Sequence, residues 1–232
     1  MRVHPFHPRL VAVLVGVLAL ALAPVALATG DGNGIVGSPH DFSSESWNHT
    51  GEICRTCHVP HDHGRDTGTI GLLWNHALPS HAYTMYSSSS LDGAQDSEPT
   101  GISKMCLGCH DGTVGLDEFD NKIGTAGSIF IGDADRVPNL PSDPGNDLSA
   151  THPISIVYDE NLDSGLHPKT NSMGQSGTIA DVLENNKVQC HSCHDVHNSP
   201  NETVPNTHLL RVAQTTSQGG SASGLCLTCH DK

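Results

Sequence analysis

Cys54-Arg55-Thr56-Cys57-His58 is the first of four Cys-x-x-Cys-His motifs in this chain of 232 residues. The other copies are Cys106-Leu107-Gly108-Cys109-His110, Cys190-His191-Ser192-Cys193-His194 and Cys226-Leu227-Thr228-Cys229-His230. Their first cysteines are separated by 52, 84 and 36 residues, so the motif recurs without the fixed period of a solenoid. All eight cysteines of the chain lie in these motifs. The motif is therefore the feature from which fold and function have to be inferred.

The spacing is the attachment signature of a c-type haem. The two thiols bond to the vinyl groups of the porphyrin, and the histidine that follows becomes the proximal ligand of the iron. The sequence therefore predicts four covalent haem c groups as cofactors. The attachment residues are Cys54, Cys57, Cys106, Cys109, Cys190, Cys193, Cys226 and Cys229, and the proximal ligands are His58, His110, His194 and His230.

Two other interpretations of the cysteine pairs have to be weighed. Two Cys-x-x-Cys pairs can close a tetrahedral zinc site, and a single pair can be a redox motif or a disulfide. Neither interpretation requires a histidine after the second cysteine. Histidine accounts for 17 of the 232 residues, so chance does not explain its presence in four motifs out of four. The pattern favours haem.

The N-terminus has the form of a secretory signal peptide. Arg2 and Arg9 make it basic, an apolar run follows from Leu10 to Val25, and Ala26-Leu27-Ala28 offers a cleavage site between small residues. We therefore expect residues 1–28 to be removed and residues 29–232 to form a single tetrahaem domain. The alternative is a retained anchor, although the run is short for a span of about 20 residues. Because haem c is attached outside the cytoplasmic membrane, export agrees with the motifs and predicts a location from the periplasm to the cell surface.

The charge of the chain limits the partners that it can have. Its formal net charge is −14. Without residues 1–28, 9 Lys+Arg stand against 25 Asp+Glu, which gives −16. Nucleic acids and anionic lipids bind to clustered Lys and Arg, so neither is an expected partner. A basic protein partner remains compatible with this charge.

The composition predicts how the chain folds. Aromatic residues make up 4% and hydrophobic residues 36% of the chain, which is little material for an ordinary apolar core. We expect mostly irregular coil with short α-helices at the motifs and very little β-structure, wrapped around a stack of four haems. The best helical pattern is Thr178 to Asn186, and the strand-like stretches are Ser128 to Ile131 and Ile154 to Tyr158.

Each iron needs a sixth ligand, and the chain has a surplus of histidines to supply it. Eleven histidines lie outside both the signal peptide and the proximal positions. His61 and His197 each follow a proximal histidine by three residues, an offset that turns the imidazole towards a neighbouring haem. His191, inside the third motif, is expected to face solvent. The candidate distal ligands are His40, His61, His76, His152 and His197.

The segments around the motifs resemble secreted tetrahaem cytochromes of the OmcE type, from metal-reducing bacteria. The resemblance extends from about Gly37 to Asp231 and is carried by six segments in order. They are Gly37-Ser38-Pro39-His40-Asp41, Cys57-His58-Val59-Pro60-His61, Leu73-Trp74-Asn75-His76, Cys106-Leu107-Gly108-Cys109-His110-Asp111-Gly112, Asp147-Leu148-Ser149-Ala150-Thr151-His152-Pro153-Ile154-Ser155 and Cys193-His194-Asp195-Val196-His197.

The resemblance implies a head-to-tail homopolymer. Such proteins form extracellular filaments with a continuous chain of bis-histidine haems, in which one axial histidine can come from the next subunit. His61 matches the position of that histidine, so it is the candidate ligand in trans. The expected acceptors are redox proteins or extracellular metal oxides.

Three classes of function follow from these patterns. The first is an electron conduit in the form of an extracellular filament. The second is a monomeric periplasmic tetrahaem shuttle, or a subunit that donates electrons to a reductase. The third is an enzyme with an open haem, which the histidine surplus disfavours because a bis-histidine iron has no position for substrate. We therefore expect electron transfer and no catalysis.

The poor apolar composition makes a prediction about the haem-free chain. If haem supplies the missing core, cofactor binding and folding are coupled, so the apoprotein should lack a stable fold. We expect haem-free protein to show no cooperative transition in circular dichroism on heating, whereas loaded protein should show one. A cooperative transition in the haem-free chain would contradict this expectation.

Overall fold

The chain is mostly coil, as its composition predicted. A computed structural model describes residues 32–60, 73–120, 129–137 and 146–231. Within these ranges the α-helices are α1 (Gly101–His110), α2 (Cys190–Cys193) and α3 (Gly224–Cys229), and the strands are β1 (Ile156–Val157) and β2 (Lys187–Val188). Short 3-10 helices cover Asp133–Asp135, Gly174–Ser176, Ile179–Val182 and Thr216–Gln218. The predicted signal peptide and His61 lie outside the described residues.

The two strands form a small antiparallel sheet, with Ile156 opposite Val188 and Val157 opposite Lys187. Strand β1 lies in one of the two stretches expected to be strands, whereas β2 was not expected. In the other stretch, the described residues Ile129 to Ile131 have no strand assigned. The helix expected from Thr178 to Asn186 is also wrong in extent. Only Ile179–Val182 is helical, as a 3-10 turn, and the chain becomes extended at Leu183 on its way to β2.

Helix α1 is the longest of the three and carries the second motif. Its first turn has no cap from the Thr100 side chain, but the Glu184 carboxylate accepts a hydrogen bond from the Ile102 amide at 2.9 Å. A carboxylate at a helix N-terminus also interacts favourably with the helix dipole. The helix ends at His110, and Gly112 then turns the chain with φ +75°. Glycine adopts this left-handed conformation without a side-chain clash, so it is a common residue after a helix.

A polar hub joins α1 to the sheet and to the third motif. The Ser155 side chain is fully buried, accepts from the Thr100 amide at 2.9 Å and donates to Gln189 at 3.2 Å. Nearby, Lys187 donates to both carboxylate oxygens of Asp96 at 2.8 and 2.6 Å, and the Thr100 hydroxyl donates to Asp96 at 2.7 Å. These bonds fix the start of α1 against β2, which leads directly into α2.

The interior is as polar as it is apolar. Among the described residues, fifteen buried side chains are polar or charged and fourteen are hydrophobic. The largest apolar cluster joins Tyr83, Leu107 and Leu148, with Met85 and Ile154 packed against it. Buried polar groups require hydrogen-bond partners, so a network of specific bonds replaces much of the apolar packing of an ordinary domain.

The first and third motifs are built in the same way, 136 residues apart. The Val59 amide donates to Leu73 O at 3.0 Å, and its counterpart Asp195 donates to Leu209 O at 2.8 Å. Leu73 and Leu209 both have positive φ, at 55° and 58°. Leucine rarely adopts this conformation, so its occurrence at two matching positions shows that the same local structure occurs twice.

The Asp96 contacts predict how stability depends on pH. Burial raises the pKa of Asp96, but the Lys187 and Thr100 hydrogen bonds and the Lys187 charge outweigh it and leave the pKa below its ordinary value of 3.8. The stabilisation is therefore present above pH 3.8 and is lost as the pH falls through the lowered pKa.

We expect Asp96→Asn to lower the free energy of unfolding at neutral pH by about 1 kcal/mol. It should also weaken the loss of stability between neutral pH and about pH 3. Thermal unfolding of the secreted protein at a series of pH values measures both effects. Asp92→Asn is the control, because Asp92 is exposed. An identical acid dependence in the wild type and Asp96→Asn would contradict the prediction.

Candidate haem-binding sites

Each Cys-x-x-Cys-His motif forms one turn that directs its side chains to one side. In the first motif, which has no assigned helix, the His58 amide donates to Cys54 O at 2.8 Å. The same bond joins His194 to Cys190 at 3.1 Å and His230 to Cys226 at 2.9 Å, while the second motif lies within α1. Because residues three and four apart share a face of a helical turn, both thiols and the histidine point the same way. Short helices at three of the four motifs agree with the expectation from the sequence.

The thiols of successive motifs influence one another's pKa in chain order. Burial raises the pKa of the Cys109 thiol, and the Cys57 thiol of the first motif raises it further. A hydrogen bond between the Cys106 and Cys190 thiols raises the pKa of Cys106 and lowers that of Cys190, which brings the second and third motifs together. Burial raises the pKa of Cys193 to about 12, with a further contribution from Cys229 of the fourth motif. The order in which the motifs influence one another is therefore their order in the sequence.

The thiols themselves are unpaired. All eight cysteines lie in the described part of the chain, and all are free. Within that part, no three His, Cys, Asp or Glu side chains form a group that could hold a metal ion.

Three proximal histidines face an imidazole that the sequence singled out as a distal candidate. The ring centroids of His58 and His197 are 6.4 Å apart, those of His110 and His40 are 6.0 Å apart, and those of His230 and His152 are 6.2 Å apart. A metal-bound imidazole nitrogen lies about 2 Å from the ion. Two rings on opposite sides of one ion therefore have centroids about 6 Å apart. The three separations fit a shared iron in each pair.

The Nδ1 atoms of several imidazole rings lie within hydrogen-bond distance of backbone carbonyl oxygens, as they do in metal-binding histidines. His110 Nδ1 lies 2.8 Å from Asp135 O, and His194 Nδ1 lies 2.7 Å from His208 O. Among the distal candidates, His152 Nδ1 lies 2.9 Å from Pro153 O, and His76 Nδ1 lies 3.0 Å from Ala77 O. A carbonyl at Nδ1 fixes the tautomer that leaves Nε2 available as a ligand. Sequence reasoning could not identify these carbonyls, since backbone groups carry no residue signature.

His40 lies at the centre of this arrangement. Burial, with a smaller contribution from the charges of His110, His197 and His194, lowers its pKa from 6.5 to about 4. Its Nδ1 is buried without a hydrogen-bond partner. A neutral imidazole is the form that binds a metal, so the surroundings of His40 suit a ligand.

The ring contacts among the described residues leave one proximal histidine without an assigned distal ligand. His194 is the one proximal histidine that faces no imidazole among the described residues. His76 is almost fully buried, but its Nε2 lies 3.5 Å from the Cys109 Sγ of the second motif. His61 lies outside the described residues. The ligand opposite His194 is therefore not assigned by the ring contacts.

His191 differs from its expected position. It was expected to face solvent, but it is only partly exposed and its Nδ1 is buried. Burial, together with the positive charge of Arg211, lowers its pKa to about 4. The expectation failed because the Arg211 side chain packs across the third turn, a contact between residues 20 positions apart.

The surface around these sites is acidic. Six Lys and Arg residues lie in the described ranges, and five form ion pairs with carboxylates within the chain: Arg55, Arg136, Lys169, Lys187 and Arg211. The positive charges are thus largely compensated internally, whereas the surplus of carboxylates faces outwards. No helix in the described residues has the length and apolar character needed to cross a membrane.

The facing rings predict the effect of removing one of them. We expect His197→Ala to retain four haems but to convert about one iron in four from low spin to high spin, because the His58 iron loses its sixth ligand. Electron paramagnetic resonance and optical spectra of the ferric protein measure this change. His208→Ala is the matched control, because it leaves the backbone carbonyl opposite His194 in place. Spectra indistinguishable from those of the wild type would rule out His197 as that ligand.

The chain matches no protein-family model, and it matches no curated protein. The likeness to OmcE-type cytochromes therefore rests on the six quoted segments alone. The family and the function that it implies are matters of proposal.

Proposed function

We propose that the chain is a tetrahaem c-type cytochrome that transfers electrons as a polymerising extracellular filament. The observation that supports it best is the set of three proximal histidines, each facing a separate distal candidate at 6.0 to 6.4 Å. The four motifs explain why these histidines lie there, since each proximal histidine follows a pair of thiols able to bind one porphyrin. Residues and spacing thus fit four haems.

When bound, haem iron supplies a one-electron couple. The residues of the chain then determine what this couple can do. The His58–His197, His110–His40 and His230–His152 pairs would hold an iron between two imidazoles, which would leave no position for a substrate and would support electron transfer. Carbonyl groups at the Nδ1 atoms of His110, His152 and His194 orient the rings and tune the electron density that they donate. This arrangement favours a carrier over an enzyme.

Contacts between the motifs support a continuous path. Thiols of successive motifs affect one another's pKa, and the Cys190 amide of the third motif donates to Ser103 of α1, which carries the second, so cofactors held by the motifs would follow chain order. The first and fourth motifs are the two ends of this order. A conduit needs access at both ends, and a polymer is obtained when the end of one subunit meets the start of the next.

The repeated turn suggests which residue completes the His194 site. His61 is the counterpart of His197, since each lies three residues after a proximal histidine and the two are 136 positions apart. His197 faces His58, the proximal histidine of the other turn. By the same relation His61 serves His194. If a local two-fold axis relates the first and third turns, His61 and His194 would meet within one chain. If subunits are arranged head to tail, His61 of one subunit would meet His194 of the next.

The resemblance to filament cytochromes favours the second arrangement, with His61 acting in trans. Electrons would then leave the filament for redox proteins or extracellular metal oxides. The acidic surface suits a partner with a basic face, and it disfavours nucleic acid. Export with cleavage of residues 1–28 would release the chain into the periplasm, from which it would reach the cell surface.

Cryo-electron microscopy of the secreted, haem-loaded protein tests the proposal. We expect wild-type filaments with four bis-histidine haems in each subunit. Discrete monomers with four closed haems would indicate the alternative, a periplasmic shuttle or an electron-donor subunit. An iron with an open sixth position would indicate an enzyme.

In the same experiment, His61→Ala should keep four haems but form no filaments, because the ligand that joins subunits is missing. His63→Ala is the matched control from the same segment and should polymerise normally. Filaments formed by His61→Ala would rule out its role in trans. A high-spin iron in His76→Ala would instead assign the fourth ligand to His76.

A further inference from the structure

Asn75 and Arg211 occupy equivalent positions in the two repeated turns. The Asn75 amide donates to Cys57 O at 2.9 Å, and the Arg211 amide donates to Cys193 O at 2.9 Å. The side chains reach equivalent places too. Asn75 Nδ2 donates to Arg55 O at 2.5 Å, and Arg211 Nε donates to His191 O at 2.8 Å. An amide and a guanidinium side chain thus donate to the same backbone group, the carbonyl of the residue that follows the first cysteine of the motif.

This carbonyl lacks its usual donor in both turns, as it does in the fourth, where the Asp231 amide bonds to Gly165 O but the equivalent residue, Leu227, is exposed. In a continuing helix, the residue after the proximal histidine donates to it, as Asp111 does to Leu107 O at 3.1 Å in the second motif. In the first and third motifs the corresponding amides, Val59 and Asp195, bond instead to Leu73 O and Leu209 O. A one-turn helix leaves such carbonyls unpaired, and an unpaired buried carbonyl is costly. The Asn75 and Arg211 side chains supply the missing donor.

Carboxylates hold both side chains in place. Asn75 is fully buried, its Nδ2 also donates to Asp120 at 2.9 Å, and its Oδ1 accepts from the Asp120 amide at 3.2 Å. Arg211 donates to Glu202 at 3.1 Å and lies 3.9 Å from the buried carboxylate of Asp195. The Asp195 carboxylate in turn accepts from the His197 amide at 3.2 Å. A carboxylate of the same chain therefore holds each donor side chain against its turn.

We propose that Asn75 and Arg211 are positioning residues that hold the first and third turns in the conformation that presents two thiols and a histidine for haem attachment. The inference rests on the proposed function, because it concerns how haem is acquired. It does not depend on filament formation. Its consequence is specific to a motif: loss of one donor impairs the turn that it binds and leaves the other three turns intact.

The test measures haem occupancy at each motif by mass spectrometry of peptides from protein secreted by a host that attaches haem c. We expect Asn75→Asp, which removes the donor at constant size, to lower occupancy at Cys54 and Cys57 at least about fivefold. Arg211→Met should do the same at Cys190 and Cys193, whereas Arg211→Lys, which retains a donor on a long side chain, should largely restore it. Asn48→Asp is the matched control, because Asn48 is also buried and donates to backbone carbonyls, those of Phe42 and Glu52.

The outcomes separate the two proposals. Wild-type protein without haem at the four motifs would overturn the proposed function. Wild-type protein with four haems, but equal loss at all motifs in Asn75→Asp and Asn48→Asp, would show that Asn75 serves general stability and would overturn the positioning role. If Asn75→Asp is not secreted, the comparison of Arg211→Met with Arg211→Lys tests the positioning role. Equal occupancy at Cys190 and Cys193 in Arg211→Met and Arg211→Lys would overturn the role.

Discussion

Opposed imidazole rings, held about 6 Å apart by turns from distant parts of the sequence, are the constraint on which the rest of this structure depends. His40 must meet His110, His152 must meet His230, and His197 must meet His58. Regular secondary structure cannot bring these residues together, since each pair joins two loops or a loop and a motif. The chain therefore follows the positions of the rings and forms helices and strands only where a motif or a short crossing requires them.

The polar interior is a consequence of this constraint. A coil exposes its backbone groups to one another and to the interior, so each needs a specific partner where water is excluded. The fully buried Asn75 and Asn198 serve this purpose by donating to backbone carbonyls of neighbouring loops, and the buried Asp111 carboxylate accepts from the Thr113 amide in its own turn. Such bonds depend on geometry, whereas apolar packing tolerates rearrangement. A fold stabilised in this way has well-defined local turns even though its apolar clusters are small.

The repeat of the first turn in the third links local structure to function. The same carbonyl lacks its helical donor in both turns, and a side chain replaces that donor in both, once as an amide and once as a guanidinium. Different residues with the same role indicate that the conformation of the turn is required, and not a particular side chain. That conformation places the cysteines and the proximal histidine on one side of the turn. In the third turn, His197 then has its ring centroid 6.4 Å from that of His58.

The sequence by itself contained the four motifs that predict haem attachment and the histidines that are candidate distal ligands. Its composition also predicted the scarcity of regular structure. These follow from residue spacing and composition, which are local or global properties of the chain and need no coordinates. The helix expected from Thr178 to Asn186 was too long, because the pairing of β2 with β1 draws the chain into an extended form after Val182. Only the tertiary structure decided which candidate faces which proximal histidine. It also decided that His191 is partly buried and that Asn75 and Arg211 act on the turns. Each of these depends on contacts between residues far apart in the chain, and local patterns do not encode such contacts.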